Sequence, residues 1–177
     1  LYVSNSDDVI TKENTASDNN AGMYFSSSND AIISSNVVDD HTAYGIYLTD
    51  SKRLRIKQNE IKNSLDDALY LSSNCDDGFI DNNTIKNNGD SAAGRAVRLI
   101  EVEDTTLYNN TIDSNDYSGI VITESSKNTI VQNIIKGNGK YGIHIANDAT
   151  KSANNTIKDN TINDNSNVAI LNNGIFT

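Results

Sequence analysis

Apolar residues in this chain come as short alternations bounded by polar turns, and no stretch keeps the three-and-four spacing of an amphipathic helix. Six times a Gly or Ala is followed by an apolar-x-apolar triplet: Met23-Tyr24-Phe25, Ile46-Tyr47-Leu48, Leu69-Tyr70-Leu71, Val97-Arg98-Leu99, Ile120-Val121-Ile122 and Ile143-His144-Ile145. A polar turn follows each triplet. Then comes a second apolar position (Ile33, Ile56, Ile80, Leu107, Ile130, Ile157) and, five residues on, a third (Val38, Ile61, Ile85, Ile112, Ile135, Ile162). Such runs predict short strands with one face buried.

Between the second and third apolar positions stands an asparagine that returns throughout: Asn14, Asn36, Asn59, Asn83, Asn110, Asn133 and Asn160, at intervals of 22, 23, 24, 27, 23 and 27 residues. A period of this size signals a repeat architecture. Three short strands per repeat predict one coil of a parallel β-helix. About seven coils are expected, right-handed by the general rule for parallel crossovers. At a tight bend between strands, backbone groups lose their sheet partners. An Asn amide there can satisfy its own bend and bond the Asn one coil away. Coils stack ~4.8 Å apart, so these residues are expected to form an internal ladder.

Segments such as Asn82-Asn83-Thr84-Ile85-Lys86-Asn87-Asn88, Asn109-Asn110-Thr111-Ile112 and Asn155-Thr156-Ile157-Lys158-Asp159-Asn160-Thr161-Ile162 resemble the parallel β-helix repeat family, which includes the NosD-like proteins and the polysaccharide lyases and epimerases built on right-handed β-helices. The resemblance spans essentially the whole chain. It speaks to fold far more than to function, because sites are grafted onto folds.

At 177 residues with no Pro, no Trp and one Cys, the chain reads as a single domain, 1–177. Its first triplet, Leu1-Tyr2-Val3, is in phase with the later ones, and Ala169-Ile170-Leu171 stands close to Thr177, so a portion of a longer protein is expected. A net charge of −10 argues against nucleic acid and anionic membranes as partners, since phosphate binding draws on clustered Lys and Arg. No apolar run reaches membrane-spanning length, so no membrane insertion of this segment is expected. Cys75 is alone and reads as a turn residue. Sequons at Asn82, Asn109 and Asn154 follow largely from the repeat motif. Paired carboxylates at Asp39-Asp40, Asp66-Asp67 and Asp76-Asp77 leave Ca2+ open as a ligand, with no EF-hand loop to hold it.

Strand side chains alternate, so the middle residue of each triplet points outward. Along the axis this column reads Tyr2, Tyr24, Tyr47, Tyr70, Arg98, Val121, His144 and Leu171. Stacked phenols offer the flat faces and hydroxyl edges that suit sugar rings, and they also stabilise a sheet. Tyr24, Tyr47, Tyr70 and Arg98 are therefore the candidate substrate-binding residues. Beside them lie Asp66 and Asp67, a longer loop ending in Gly94-Arg95, and Glu101 and Glu103; Asp67, Tyr70, Arg95 and Arg98 are the catalytic candidates.

The resemblance to particular enzymes is incomplete. Asp66-Asp67-Ala68-Leu69 and Arg55-Ile56-Lys57 look like polygalacturonase segments, but those enzymes need an aspartate one coil earlier, where this chain has Tyr44. Asp40-His41-Thr42-Ala43-Tyr44 matches the epimerase Asp-Pro-His region by residue type only. A lyase or epimerase needs a cation for the uronate carboxylate and a base for the adjacent proton, roles open to Arg95 or Arg98 and to Tyr70.

The expectation is a secreted or cell-surface β-helix scaffold that contacts a polysaccharide, or neighbouring copies and flanking domains of a surface assembly. The alternative is a polysaccharide lyase or uronate C5-epimerase with its groove on the Tyr24 to Arg98 face.

Overall fold

The computed structural model describes residues 1–90, 94–146 and 152–173. They form 22 short strands and no helix. The triplets build one eight-stranded sheet, from Tyr2–Ser4 and Met23–Ser26 through Ile143–Ile145 to Ile170–Asn172. The second apolar positions build a seven-stranded sheet and the third another. Every pairing is parallel and joins one coil to the next, in register: Ile46, Leu69, Val97, Ile120 and Ile143 lie side by side inside, with Tyr47, Tyr70, Arg98, Val121 and His144 beside them outside. The chain is thus a right-handed parallel β-helix of about seven coils.

The interior is one continuous apolar column, in which Phe25, Ile33, Leu48, Ile61, Leu71, Ile85, Leu99, Ile112 and Ile130 are fully buried. Each coil turns through left-handed backbone positions. In the third coil these are Asp50, Arg53, Gln58 and Asn63, with φ between 48° and 57°. Most residues at such corners are Asn or Asp, the types that visit this region at least cost. The Asn and Asp richness of the chain and its lack of Pro follow from the same geometry.

The expected ladder is present, and its hydrogen bonds are complete. Asn59 donates its backbone N–H and its side-chain Nδ2 to Oδ1 of Asn83, each at 3.0 Å, and Nδ2 donates again to the Ile33 carbonyl at 2.9 Å. The same pattern joins Asn36 to Asn59, Asn83 to Asn110, Asn110 to Asn133 and Asn133 to Asn160. A second ladder lies five residues further on, in Asn88, Asn115, Asn138 and Asn165. Its column continues into earlier coils as Ser64, His41 and Asn19, where Ser64 Oγ and His41 Nε2 are buried without partners.

Cys75 is a turn residue, as expected, and its side chain joins the core. It stands, fully buried, in a corner column whose other members include Ser28, Ser51 and Ser125, and burial pushes its thiol up to about 12. A protonated, enclosed thiol is inert.

Candidate functional site

The outer face of the eight-stranded sheet carries the tyrosine column, and the turn entering that sheet supplies a second column beside it. Backbone bonds stack these turns coil on coil, as in Gly45 N–H to the Asp67 carbonyl and Ala68 N–H to the Arg95 carbonyl. Tyr44, Asp67, Arg95, Ser118 and Tyr141 therefore occupy one line, two residues before each triplet. Gly45 allows the close approach this needs: a Cβ there would lie 2.5 Å from the Ala68 carbonyl oxygen.

The tyrosines form one continuous aromatic surface. Tyr2 and Tyr24 stack with ring centroids 5.0 Å apart, Tyr24 meets Tyr47 edge-on at 5.0 Å, and Tyr47 and Tyr70 stack at 4.8 Å. Tyr44 reaches in from the turn column, 5.1 Å from Tyr47 and 5.6 Å from Tyr70. Arg98 closes the row, its guanidinium 4.9 Å from the Tyr70 ring centre. Tyr24, Tyr47, Tyr70 and Arg98 are each half-buried, with outer edges open to solvent.

Below this surface the catalytic candidates meet around Asp67, which is fully buried. Its Oδ1 accepts the Arg95 backbone N–H at 2.9 Å, and its Oδ2 accepts Arg98 Nη1 at 3.2 Å; Arg95 Nη1 lies 3.6 Å from Oδ1. Burial raises the Asp67 carboxyl above its ordinary value, outweighing the backbone bond and the two arginines, which pull the other way. Burial likewise raises the Tyr70 phenol despite Arg98, and the Tyr44 phenol, which Asp66 and Asp67 push further. Both phenols stay protonated at neutral pH. They are donors as they stand and poor proton acceptors.

Val121 points outward as expected, yet between Arg98 and His144 it is only 7% exposed. Beyond it Arg95 joins three residues absent from the site read in the sequence, Tyr117, Lys140 and Tyr141. Arg95 sits 5.4 Å over the ring of Tyr117, and Lys140 sits 4.3 Å over the same ring and 5.1 Å from Tyr141. Lys140 Nζ also donates to the Tyr117 hydroxyl. Tyr141 packs 5.1 Å from His144, whose imidazole is kept below its ordinary value by burial and then by Lys140 and Arg95. The signal for this group was the turn column, since Tyr117 and Lys140 stand three residues before successive triplets. The part of the longer loop at 91–93 lies outside the described residues.

The other candidates disperse. Asp39 faces Lys62 at 3.5 Å, and Asp76 takes Lys52 at 2.9 Å and the Glu103 N–H at 2.8 Å. Glu103 also pairs with Lys127 at 3.0 Å. Sequon residues Asn82, Asn109 and Asn154 are exposed left-handed corner residues. Among the described residues no three His, Cys, Asp or Glu side chains gather as a metal site.

Among solved structures, the periplasmic alginate epimerase AlgG aligns with 99% of this chain at 19% identity and a TM-score of 0.76, over 47% of its own length. The A-module of a mannuronan C-5 epimerase from Azotobacter vinelandii aligns with 97% of the chain at 15% identity and a TM-score of 0.57, over 56% of its length. The chain therefore spans about half the length of the structures it resembles, and at these identities the likeness is one of fold. No curated protein sequence matches it. A family profile described as periplasmic copper-binding protein (NosD) matches residues 1–176. Copper favours gathered imidazole and sulfur donors. Here His41 is locked in the buried corner column, His144 lies on the outer face, and the Cys75 thiol is enclosed and protonated. The described residues thus do not fit a copper centre. The match over residues 1–176 nonetheless places the chain in the NosD family of β-helix proteins.

Proposed function

We propose that this chain is an exported β-helix scaffold whose tyrosine- and arginine-lined face binds polysaccharide. The observation that carries the reading is the unbroken surface from Tyr2 through Tyr24, Tyr47 and Tyr70 to Arg98, with neighbouring groups 4.8 to 5.0 Å apart. Sugar rings stack on such faces while hydroxyl and guanidinium edges take their polar groups. The family is described as periplasmic, and the alginate and mannuronan epimerases that share the fold act on polysaccharide, which supports both the exported location and the ligand class.

A lyase or C5-epimerase activity is the second reading, and one observation favours it: a buried carboxylate, Asp67, raised above its ordinary value by its enclosure, lies between two arginines beside Tyr70. Arg98 would meet the uronate carboxylate. Tyr70, held protonated, would donate rather than remove a proton, so Asp67 is the stronger acceptor, although it is enclosed. On the scaffold reading, a glycan array shows wild-type binding that Tyr47→Ala and Tyr70→Ala each weaken by about tenfold, with only small stability losses. Absence of binding to every acidic and neutral polysaccharide would refute it. Release of unsaturated uronates, or epimerised product seen by NMR, would select the enzymatic reading instead.

A further inference from the structure

The outer face changes chemistry along its length. The first four coils present phenols, Tyr2, Tyr24, Tyr47 and Tyr70, with Tyr44 and the carboxylate of Asp66 beside them. From the fifth coil onward the same face presents Arg98, Arg95 and Lys140, interleaved with Tyr117, Tyr141 and the imidazole of His144. Arg98, Arg95 and Lys140 are three of the fourteen Lys and Arg residues in a chain of net charge −10. The two arginines share one carboxylate, Asp67, and among the described residues Lys140 makes no ion pair. Lys140 instead lies over two aromatic rings and beside a phenol hydroxyl, which narrows its positions before any ligand arrives. Binding to a pre-positioned charge costs less ordering entropy.

The spacing of these cations is as informative as their identity. Arg95 and Lys140 belong to turns two coils apart, ~10 Å along the axis, and both side chains lie over the ring of Tyr117 in the coil between them. In an extended β-1,4-linked polysaccharide with a two-fold backbone each sugar advances by close to one strand spacing and successive sugars alternate in facing. Like-facing acid groups therefore recur every second sugar, at the two-coil interval.

We propose that the cationic half of this face reads the acid groups of a β-1,4-linked acidic polysaccharide lying along the helix axis. Arg98 and Arg95 take one carboxylate in the fifth coil, Lys140 beside His144 takes the next like-facing carboxylate in the seventh, and the intervening sugar lies over Val121. The arginines can grip a carboxylate in a two-pronged fashion, whereas Lys140 acts as a point charge. The inference rests on the glycan-binding reading and adds the ligand's charge, linkage and direction to it. A sulfated polymer offers a similar oxyanion, so the test must separate the two.

Calorimetric titration of residues 1–177 with β-1,4-linked glucuronate oligomers of two to six sugars, with cello-oligosaccharides of the same backbone, and with sulfated cello-oligosaccharides makes that separation. Wild-type protein is expected to bind glucuronate oligomers about tenfold or more tightly than the neutral ones. Affinity should step up between the disaccharide and the trisaccharide, where the second like-facing carboxylate first appears. Lys140→Gln should abolish that step, and Arg98→Gln should erase the preference for acidic over neutral chains. Lys127→Gln, which removes a lysine paired with Glu103 away from this face, should match wild type. Equal binding of acidic and neutral oligomers, no step at the trisaccharide, or a Lys140→Gln profile identical to that of Lys127→Gln would overturn the proposal while glycan binding itself stands. Tighter binding of sulfated than carboxylated oligomers would overturn the assignment to carboxylate. No binding of any oligomer would remove the glycan reading and this inference together.

Discussion

The side chain of Asp67 shows how one residue can be held by opposite forces. Two arginines and a backbone N–H favour its charged form, and complete enclosure disfavours it more strongly. The native state therefore binds a proton here at a pH where the unfolded chain has released it. By linkage, stability from this group is greatest below the ordinary carboxyl value and is lost as pH rises through the elevated native value. In urea unfolding at a series of pH values, the stability advantage of wild type over Asp67→Asn should shrink as pH rises through that window. Parallel pH profiles for the two proteins would contradict it. Packing is testable at the same scale. Ile120→Ala and Ile143→Ala each remove a fully buried side chain and should cost about 2–5 kcal/mol. Val121→Ala, on the outer face but nearly covered, should cost less, about 1–2 kcal/mol, in the same denaturant series. Equal losses at Ile120 and Val121 would reverse the assigned faces.

At the scale of the repeated element, the corners carry the specificity. Asn59 fills its hydrogen-bonding capacity between one coil and the next, so Asn59→Ala would orphan buried groups in both neighbouring coils and should cost about 3 kcal/mol or more. The second ladder supplies the opposite experiment. His41 and Ser64 interrupt an asparagine column and leave buried atoms unpartnered. His41→Asn with Ser64→Asn should complete the column and raise stability by about 1–2 kcal/mol in thermal or urea unfolding. A less stable double variant would mean that the imidazole's packing outweighs the bonds it fails to make. The first ladder was legible in the sequence because Asn14 through Asn160 never changes identity. The second was not, because His41 and Ser64 break it in the early coils and its signal is only an offset of five residues. Cys75 was read as a turn residue and stands in one, but its burial was not legible, because the serine column that encloses it shows only once the coils are stacked.

At the scale of the whole molecule, the fold was written in the period, and the candidate site only in part. The outward column of Tyr24, Tyr47, Tyr70 and Arg98 follows from strand alternation, so it could be read directly. Tyr44, Tyr117 and Lys140 could not be read with equal ease, because they sit in turns whose conformation no two-residue alternation reports. The β-helix brings them to the face by stacking those turns, and it sets the phenols and the cations in sequence along one axis. That arrangement yields the central claim, that polysaccharide lies on the tyrosine face. The chain has eight tyrosines and no tryptophan, and Tyr108 stands on a different sheet, 6.2 Å from Phe79. Protein labelled with 13C in the tyrosine rings, titrated with acidic polysaccharide and followed by NMR, reports on each ring separately. The account predicts that the resonances of Tyr24, Tyr47 and Tyr70 shift while that of Tyr108 stays in place. Unmoved resonances throughout, or a shift at Tyr108 equal to theirs, would contradict it.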